Sequence, residues 1–543
     1  MAFNNTGSCR NPGFNHRNDD ELNMEDGLGV VLFKKLKKHK NKILQYIADT
    51  GEVDTYEQVL IRSIRTALKL EEMGLGKDDV ISMCTYNHKN SCIPLVATFF
   101  IGAISANFDP KLSPLDTIHL LKLMQPKVMF VSIESLSFME KCMEEAKVKC
   151  ELVVFGDSER YIQFSEFLEP HPKEENFEPT ALNDSKETAA VLFSSGTTGL
   201  PKGICLSHAS LLGWYKNSGI FAVNSGDGVN LVYTTFYWIS ALWFFIESVI
   251  RGDARVVCSK FDPYELWHII EKYKITSIFL APHLANEFID CRLKDVDTSS
   301  LKLLLMGGSA PTENMMSALR EGLPGTKVFN GYGQTEALTC ITVFDESNPE
   351  EVEMQIRKPM SCGKVRKAFQ WKVVDPVTEE VLGPNQRGEL RIKCDLMMSG
   401  YYKMDSSSAY DSEGYLKTGD IFYYDDEGCF FVVDRIKEMF KYKAYHILPA
   451  ILEDVLMTHP AVKEAAVIGI PHGIEGEYPM GVVVLREGYG QMSPNEIEEY
   501  VEKRVPEMQR LRAGVKIVKE LCRTATSKLR RAEIKKMVLE GKI

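Results

Sequence analysis

Val191-Leu-Phe-Ser-Ser-Gly-Thr-Thr-Gly-Leu-Pro-Lys-Gly203 is the stretch from which the rest of the chain is read. The apolar run Ala189 to Phe193 reads as a buried strand, and it breaks into a loop of three glycines, four hydroxyl residues, a proline and a lysine. Glycines let the backbone approach an anion and turn its N–H groups outward. The hydroxyls of Ser194, Ser195, Thr197 and Thr198 add donors, and Lys202 adds a fixed positive charge. Such a loop suits a polyphosphate. It is not a Walker A loop, because no Gly-Lys-Ser/Thr follows the first glycine at the required spacing.

Around this loop the chain alternates. Tyr56–Met73, Pro94–Ile104 and Asp116–Met124 have helical spacing, while Val80–Thr85 and Val128–Ser132 read as strands. Further on, Ala254–Cys258, Pro263–Tyr273, Ser277–Ala281 and Leu301–Met306 continue the pattern. Strands separated by helices imply crossover connections and parallel sheets, which bind ligands at the carboxyl ends of their strands. The expected fold class is therefore α/β. Between Gly388 and Tyr424 the pieces become short and strand-like, which predicts a small β-subdomain. The last hundred residues, with helices at Pro449–Met457 and Pro494–Lys503 and strands at Ala465–Ile470 and Gly481–Leu485, have a domain's size.

Composition narrows the function. The 543 residues carry a net charge of −11, which argues against general nucleic-acid binding. Thirteen cysteines contain no C-x-x-C pair, so neither a disulfide framework nor a zinc site is expected. Residues 1–25 read as a polar, flexible tail without a signal-peptide core. The basic run Phe33–Lys42 reads as a surface helix with a solvated lysine face. Leu231–Ile250 is apolar enough to be mistaken for a membrane span, but Glu247 and the hydroxyl residues favour a buried core helix. No transmembrane segment is expected.

The loop resembles the phosphate loop of the adenylate-forming enzymes, the superfamily of acyl-CoA synthetases, luciferases and 4-coumarate–CoA ligases. Asn330-Gly-Tyr-Gly-Gln-Thr-Glu336, Lys417-Thr-Gly-Asp420, Val433-Asp-Arg-Ile-Lys437 and Lys528 recur in that superfamily's order. The resemblance implies a large AMP-binding domain over residues 26–434 built from α/β subdomains and the small β-subdomain. A hinge at 435–439, with Lys437 at its pivot, would lead to a mobile α+β lid over 440–543.

It also implies roles. ATP would be held by Ser194, Ser195, Gly196, Thr197, Thr198, Gly199 and Lys202, with Gly308, Ser309 and Ala310 lying against adenine. Asn330, Gly331, Tyr332 and Gly333 would frame and stack on the base, and Thr335 would reach the α-phosphate. Glu336 would ligate Mg²⁺, Asp420 and Arg435 would hold ribose, and Lys528 would bind carboxylate and α-phosphate. Tyr237, Trp238, Ser240, Thr339 and Cys340 would line an apolar acyl pocket. Lys443, Ala444 and Tyr445 would border the path of coenzyme A, Lys443 acting in thioester formation. Lys528, Lys202, Thr335, Glu336 and Lys443 form the expected catalytic set.

The implied reaction activates a hydrophobic carboxylic acid with ATP and passes the acyl group to coenzyme A. The enzyme would be a monomer, cytoplasmic or peroxisomal, although the terminal Gly541-Lys-Ile543 is a poor peroxisomal address. Two other readings stay open: a luciferase, and a nucleotide-binding homologue impaired in turnover. The departures Ala444, Ile451, Cys522 and Ser527, where the superfamily usually has glycine, glutamate, proline and glycine, bear on the thioester step more than on adenylation. Replacing Lys528 by alanine is expected to slow acid-dependent pyrophosphate exchange by roughly 10²–10³. Equilibrium binding of ATP, measured by calorimetry, should survive.

Overall fold

A computed structural model of the chain describes residues 22–194, 200–217, 227–443, 445–523 and 529–543. The predicted tail at residues 1–25 lies almost wholly outside these. By packing, the chain forms two units. The first holds the N-terminal part to Ser194, Leu200–Gln370 and Lys393–Ser408; the second holds Trp371–Ile392 and Ala409–Ile543. The small β-subdomain, expected inside a single domain ending at residue 434, thus packs with the C-terminal hundred residues.

The first unit is built on two large sheets. One has seven strands in the order Lys327–Asn330, Leu303–Met306, Ser277–Leu280, Val229–Val232, Ala254–Val257, Ile43–Ile47 and Val53–Thr55. All neighbours are parallel except the last pair. The other has eight strands in the order Gly400–Tyr401, Lys202–Ser207, Thr188–Ser194, Ile104–Ser105, Val80–Cys84, Val128–Ser132, Glu151–Phe155 and Ile162–Gln163. It is parallel from Thr188–Ser194 onward and antiparallel at the other edge. Buried on both faces, strands such as Val128–Ser132 and Leu303–Met306 are almost wholly apolar, as parallel sheets favour.

Helix boundaries follow local chemistry. Tyr56–Glu72 begins with a capping box between Thr55 and Gln58. Pro263–Tyr273 begins at the Asp262 cap with Pro263 in its first turn and ends at Lys274 in a left-handed conformation. It packs Trp267 on Phe288, ring centroids 4.2 Å apart, at the centre of the seven-stranded sheet's core.

Two apolar runs yield helices shorter than the runs themselves. The helix expected over Pro94–Ile104 spans Ile93–Phe100, because Gly102 turns the chain at φ 68° into the strand Ile104–Ser105. The run Leu231–Ile250 divides between the end of a strand and the helix Ile239–Arg251. Glu247 is buried in that helix and paired with Arg251 at 3.3 Å. Among the described residues no helix is long and apolar enough to cross a membrane. In the basic N-terminal helix, Gly27–Lys38, Lys34 and Lys37 are exposed as expected, but Lys35 is buried.

The second unit combines two sheets. Gln370–Val374, Gly388–Lys393, Leu416–Tyr424 and Phe430–Arg435 form a four-stranded sheet. Val462–His472 and Gly476–Leu485 form the long hairpin of the other, extended by Phe440–Tyr442, Tyr445–Ile447 and Val515–Val518. The helix Pro449–Met457 packs on both hairpin and four-stranded sheet. Where they meet, both Asp434 carboxylate oxygens accept backbone N–H groups, Arg435 at 2.8 Å and Ala450 at 2.9 Å. Arg531 grips Glu453 through two bonds of 2.8 and 2.6 Å and lies 3.4 Å from Glu438.

Burial pushes the Asp434 carboxyl up to about 6. Its folded-state pKa lies above the unfolded one, so the native chain holds a proton there that the unfolded chain has lost. Stability from this group should therefore decline, by about 2–3 kcal/mol, as pH rises from roughly 4 to roughly 6. Urea unfolding at a series of pH values checks this, and Asp434→Asn should flatten the decline.

Candidate active site

Leu303–Met306 and Lys327–Asn330 are adjacent parallel strands, with Met306 opposite Asn330 at their carboxyl ends. The two glycine segments singled out from the sequence therefore leave the sheet side by side. Gly331 N–H donates to the Met306 carbonyl at 2.9 Å. Gly308 has φ 97° with open space around its Cα, and Gly308, Ser309 and Ala310 are exposed, so this backbone is free to lie along a flat ligand. Gly333 is fixed by packing: a Cβ there would stand 2.4 Å from the Thr339 carbonyl oxygen. Tyr332 is half-buried, its hydroxyl accepting from Gln334 Nε2 at 2.8 Å. Asn330 is buried, and its Oδ1 has no hydrogen-bond donor among the described residues. A buried acceptor left so costs about 1–3 kcal/mol, which the exocyclic amine of a purine is suited to recover.

The phosphate stretch is a hairpin. Ser194 pairs with Lys202 across it, so Lys202 opens the returning strand and does not belong to the loop proper. Ser195, Gly196, Thr197, Thr198 and Gly199 lie outside the described residues. The Lys202 side chain is exposed, with Nζ 4.7 Å over the Tyr401 ring.

One short segment binds this hairpin to the Asn330–Glu336 stretch. Met398 N–H donates to the Glu336 carbonyl at 2.9 Å, Ser399 N–H to Cys205 at 2.9 Å, and Tyr402 N–H to Gly203 at 2.8 Å. Thr335 and Glu336 sit in a 3₁₀ turn that also packs against the strand Thr188–Ser194. Hairpin, lysine, threonine and glutamate thus share one locality.

For Mg²⁺, the donor set is informative. Among the described residues no group of three His, Cys, Asp or Glu side chains could cage a metal. A single carboxylate, that of Glu336, near the Lys202 hairpin fits an ion held mainly by phosphates, as Mg²⁺ is with nucleotides.

The segment assigned to the acyl pocket is built from hydrogen bonds as well as packing. Trp238 Nε1–H donates to Asp109 Oδ2 at 3.0 Å, and the Thr235 hydroxyl donates to the same oxygen at 2.8 Å. Tyr237 is buried, stacked on Phe193 and edge-on to Trp238. Ser240 shares a 2.8 Å bond with the Thr234 hydroxyl. Thr339 is buried, its hydroxyl accepting from the Arg366 guanidinium at 3.2 Å. Burial pushes the neighbouring Cys340 thiol up to about 11, which keeps it protonated near neutral pH.

The remaining candidates lie in the second unit. Asp420 and Arg435 face each other across paired strands, Oδ1 to Nε 3.0 Å, with Asp420 nearly buried. Lys437 is exposed in the 3₁₀ turn Ile436–Glu438. Lys443 adopts φ 47°, and its ammonium, 3.1 Å from Glu475, has its pKa raised by hydrogen bonds to Tyr442 and Glu475. Tyr445 opens a strand of the small sheet. Ala444 and Lys528 lie outside the described residues.

Sequence reading missed Asp109 and Arg366. Neither belongs to a motif, and each matters only through the side chain it meets some 130 and 27 positions away. A buried carboxylate in Asn107-Phe-Asp-Pro110 carried no periodic or spacing signal.

Comparison with known proteins shows the family. The model for AMP-binding enzymes matches residues 32–402, and that for the AMP-binding enzyme C-terminal domain matches residues 452–528. Luciferin 4-monooxygenase of Photinus pyralis is 31% identical over 96% of both chains. Peroxisomal OPC-8:0-CoA ligase 1 of Arabidopsis thaliana is 30% identical over 94% of this chain and 93% of its own. Among solved structures, the luciferase-like enzyme of the nonluminescent mealworm Zophobas morio is 38% identical, with a TM-score of 0.72 over 77% of this chain and 98% of that one.

Gly333→Ala forces a methyl group into backbone. It is expected to cost about 1–3 kcal/mol and to weaken ATP binding. Urea unfolding and nucleotide calorimetry measure the two effects.

Proposed function

Because the chain belongs to the AMP-binding enzyme family, we propose that it activates a hydrophobic carboxylic acid with ATP and transfers the acyl group to coenzyme A. The observation that carries the reading is the Met398–Tyr402 segment, which ties the Lys202 hairpin and the Glu336 turn together by backbone hydrogen bonds. Charged phosphate groups and their neutralising residues are thereby kept at a set spacing.

A carboxylate is a poor electrophile, since its leaving group would be oxide. In the proposed first step a carboxylate oxygen attacks the α-phosphorus of ATP, pyrophosphate departs, and the acid becomes a mixed anhydride with AMP. Positioning and charge neutralisation supply most of the acceleration. Lys202 and the hydroxyl loop hold the outer phosphates, Thr335 donates to the α-phosphate, and Asn330 and Tyr332 seat the base. Asp420 and Arg435 take the ribose, and Lys528 takes the carboxylate and α-phosphate. Glu336 would hold Mg²⁺, which when bound neutralises phosphate charge. In the second step the thiol of coenzyme A attacks the acyl carbonyl and AMP leaves, with Lys443, Ala444 and Tyr445 beside its path. The same reading has a monomer working in the cytosol or the peroxisome.

The luciferin 4-monooxygenases among the relatives favour one second reading, oxidation of a luciferin adenylate by dioxygen with emission of light. Pyrophosphate exchange on a panel of fatty and aromatic acids, followed by thioester detection and by photon counting with luciferin, tests both. Exchange with thioester is the expected result. Light replaces it with the second reading. ATP binding without exchange on any acid would overturn both.

A further inference from the structure

Beside the acyl segment lies a second space, mostly apolar but with polar side chains in its wall. A cavity of about 30 Å³ opens between the helix Ile239–Arg251 and the strands beneath it, with room for about two waters or one small oxygen-bearing group. Phe236, Ala241 and Phe245 form its apolar wall, and Asn87 and Arg255 bring polar groups to it. Phe236 and Ala241 flank the Tyr237–Ser240 stretch assigned to the acyl pocket, and Thr234, also in the wall, is the hydrogen-bond partner of Ser240.

Arg255 is an unusual residue to find there. Its guanidinium lies against a pair of edge-on aromatic rings, 4.9 Å from the Phe245 centroid and 5.6 Å from that of Phe236. Nε and Nη2 both donate to Gln45 Oε1, at 3.2 and 2.8 Å, and the Cys92 thiol is a further polar neighbour. No carboxylate among the described residues lies within ion-pair distance of it. The nearest candidate, Asp54, is engaged by Arg62 at 2.5 Å and by Gln45 at 2.8 Å. Burial lowers the Arg255 pKa, yet a guanidinium keeps its charge in proteins. Across the cavity wall, Asn87 spends its amide nitrogen on the Tyr233 and Thr234 carbonyls, both at 3.1 Å. Its amide oxygen accepts no hydrogen bond from the described residues. A cation with unused N–H donors and a free amide acceptor therefore share a space too small for anything but an end group.

We propose that this cavity receives the far end of the acid, and that the preferred substrates carry a second oxygen function there: a hydroxyl, an oxo group or a second carboxyl. Arg255 would donate to that oxygen and Asn87 would accept from a hydroxyl. The inference rests on the acid-activating reading above and narrows its substrate class. A wholly apolar tail would leave the Arg255 donors unpaired in a dry site, the situation that makes buried polar sites discriminate most sharply.

The test uses the full-length enzyme and three matched sets of acids: unsubstituted parents, ω-hydroxy or ω-oxo derivatives, and α,ω-dicarboxylic acids. Equilibrium binding by calorimetry and kcat/KM for pyrophosphate exchange are both measured. The expected result is a preference of at least about tenfold for an oxygenated set, expressed in KM and Kd more than in kcat. In Arg255→Met that preference should fall below about twofold while parent acids bind as well or better. Asn87→Ala, which leaves the Arg255–Gln45 bonds in place, should weaken the hydroxy set and spare the dicarboxylic set; it also decides the matter if the arginine variant does not fold. Equal binding of all sets to the native enzyme, or a preference that survives both substitutions, would show a solvent-filled cavity only and overturn the proposal. If no acid supports exchange, the acid-activating reading falls, and the binding measurements still decide whether oxygenated chains are recognised.

Discussion

A handful of backbone hydrogen bonds holds the proposed chemistry together. The segment Met398–Tyr402 donates N–H groups to Glu336, Cys205 and Gly203, so a carboxylate turn and a lysine-bearing hairpin far apart in the chain are braced by one strap. Each bond is worth only about a kilocalorie per mole net. Their value is geometric, because phosphoryl chemistry depends on charges kept at set separations. Since the donors and acceptors are main-chain groups, the brace makes few demands on side-chain identity.

That indifference explains what the sequence showed and what it hid. Pro263–Tyr273 and Pro449–Met457 are legible to the residue, because caps and prolines mark helix starts chemically. The glycine-rich stretches are legible because close approach leaves no room for side chains, as at Gly333. Apolar runs are less informative. Pro94–Ile104 and Leu231–Ile250 announce burial, but burial alone does not say where a helix gives way to a strand. The antiparallel return of Lys202 is invisible for a similar reason: a lysine after a proline reads equally as loop or strand. Asp109, Arg255 and Arg366 gain meaning only from residues far along the chain, and no local pattern points to them.

The second unit shows the same economy with charged groups. Asp434 accepts N–H groups at the start of the turn Ile436–Glu438 and at the start of the helix Pro449–Met457. Arg531, three positions beyond Lys528, joins Glu438 to Glu453. The turn identified from sequence as a pivot is therefore flanked by buried charges whose removal singly leaves an uncompensated partner, which is costly in a dry environment.

Trp238 has a wider implication. Its ring lies edge-on to Tyr237, but its position is decided by Asp109, which also holds Thr235. A smaller residue at 238 would enlarge the space and at the same time strip a sheltered carboxylate of a donor. Descendants of this chain that adapt to bulkier molecules therefore face a coupled problem, in which the wall and its distant anchor change together or the gain in room is lost to an unsatisfied charge. Diversification at this wall should advance by paired steps, and the two positions should be engineered as one.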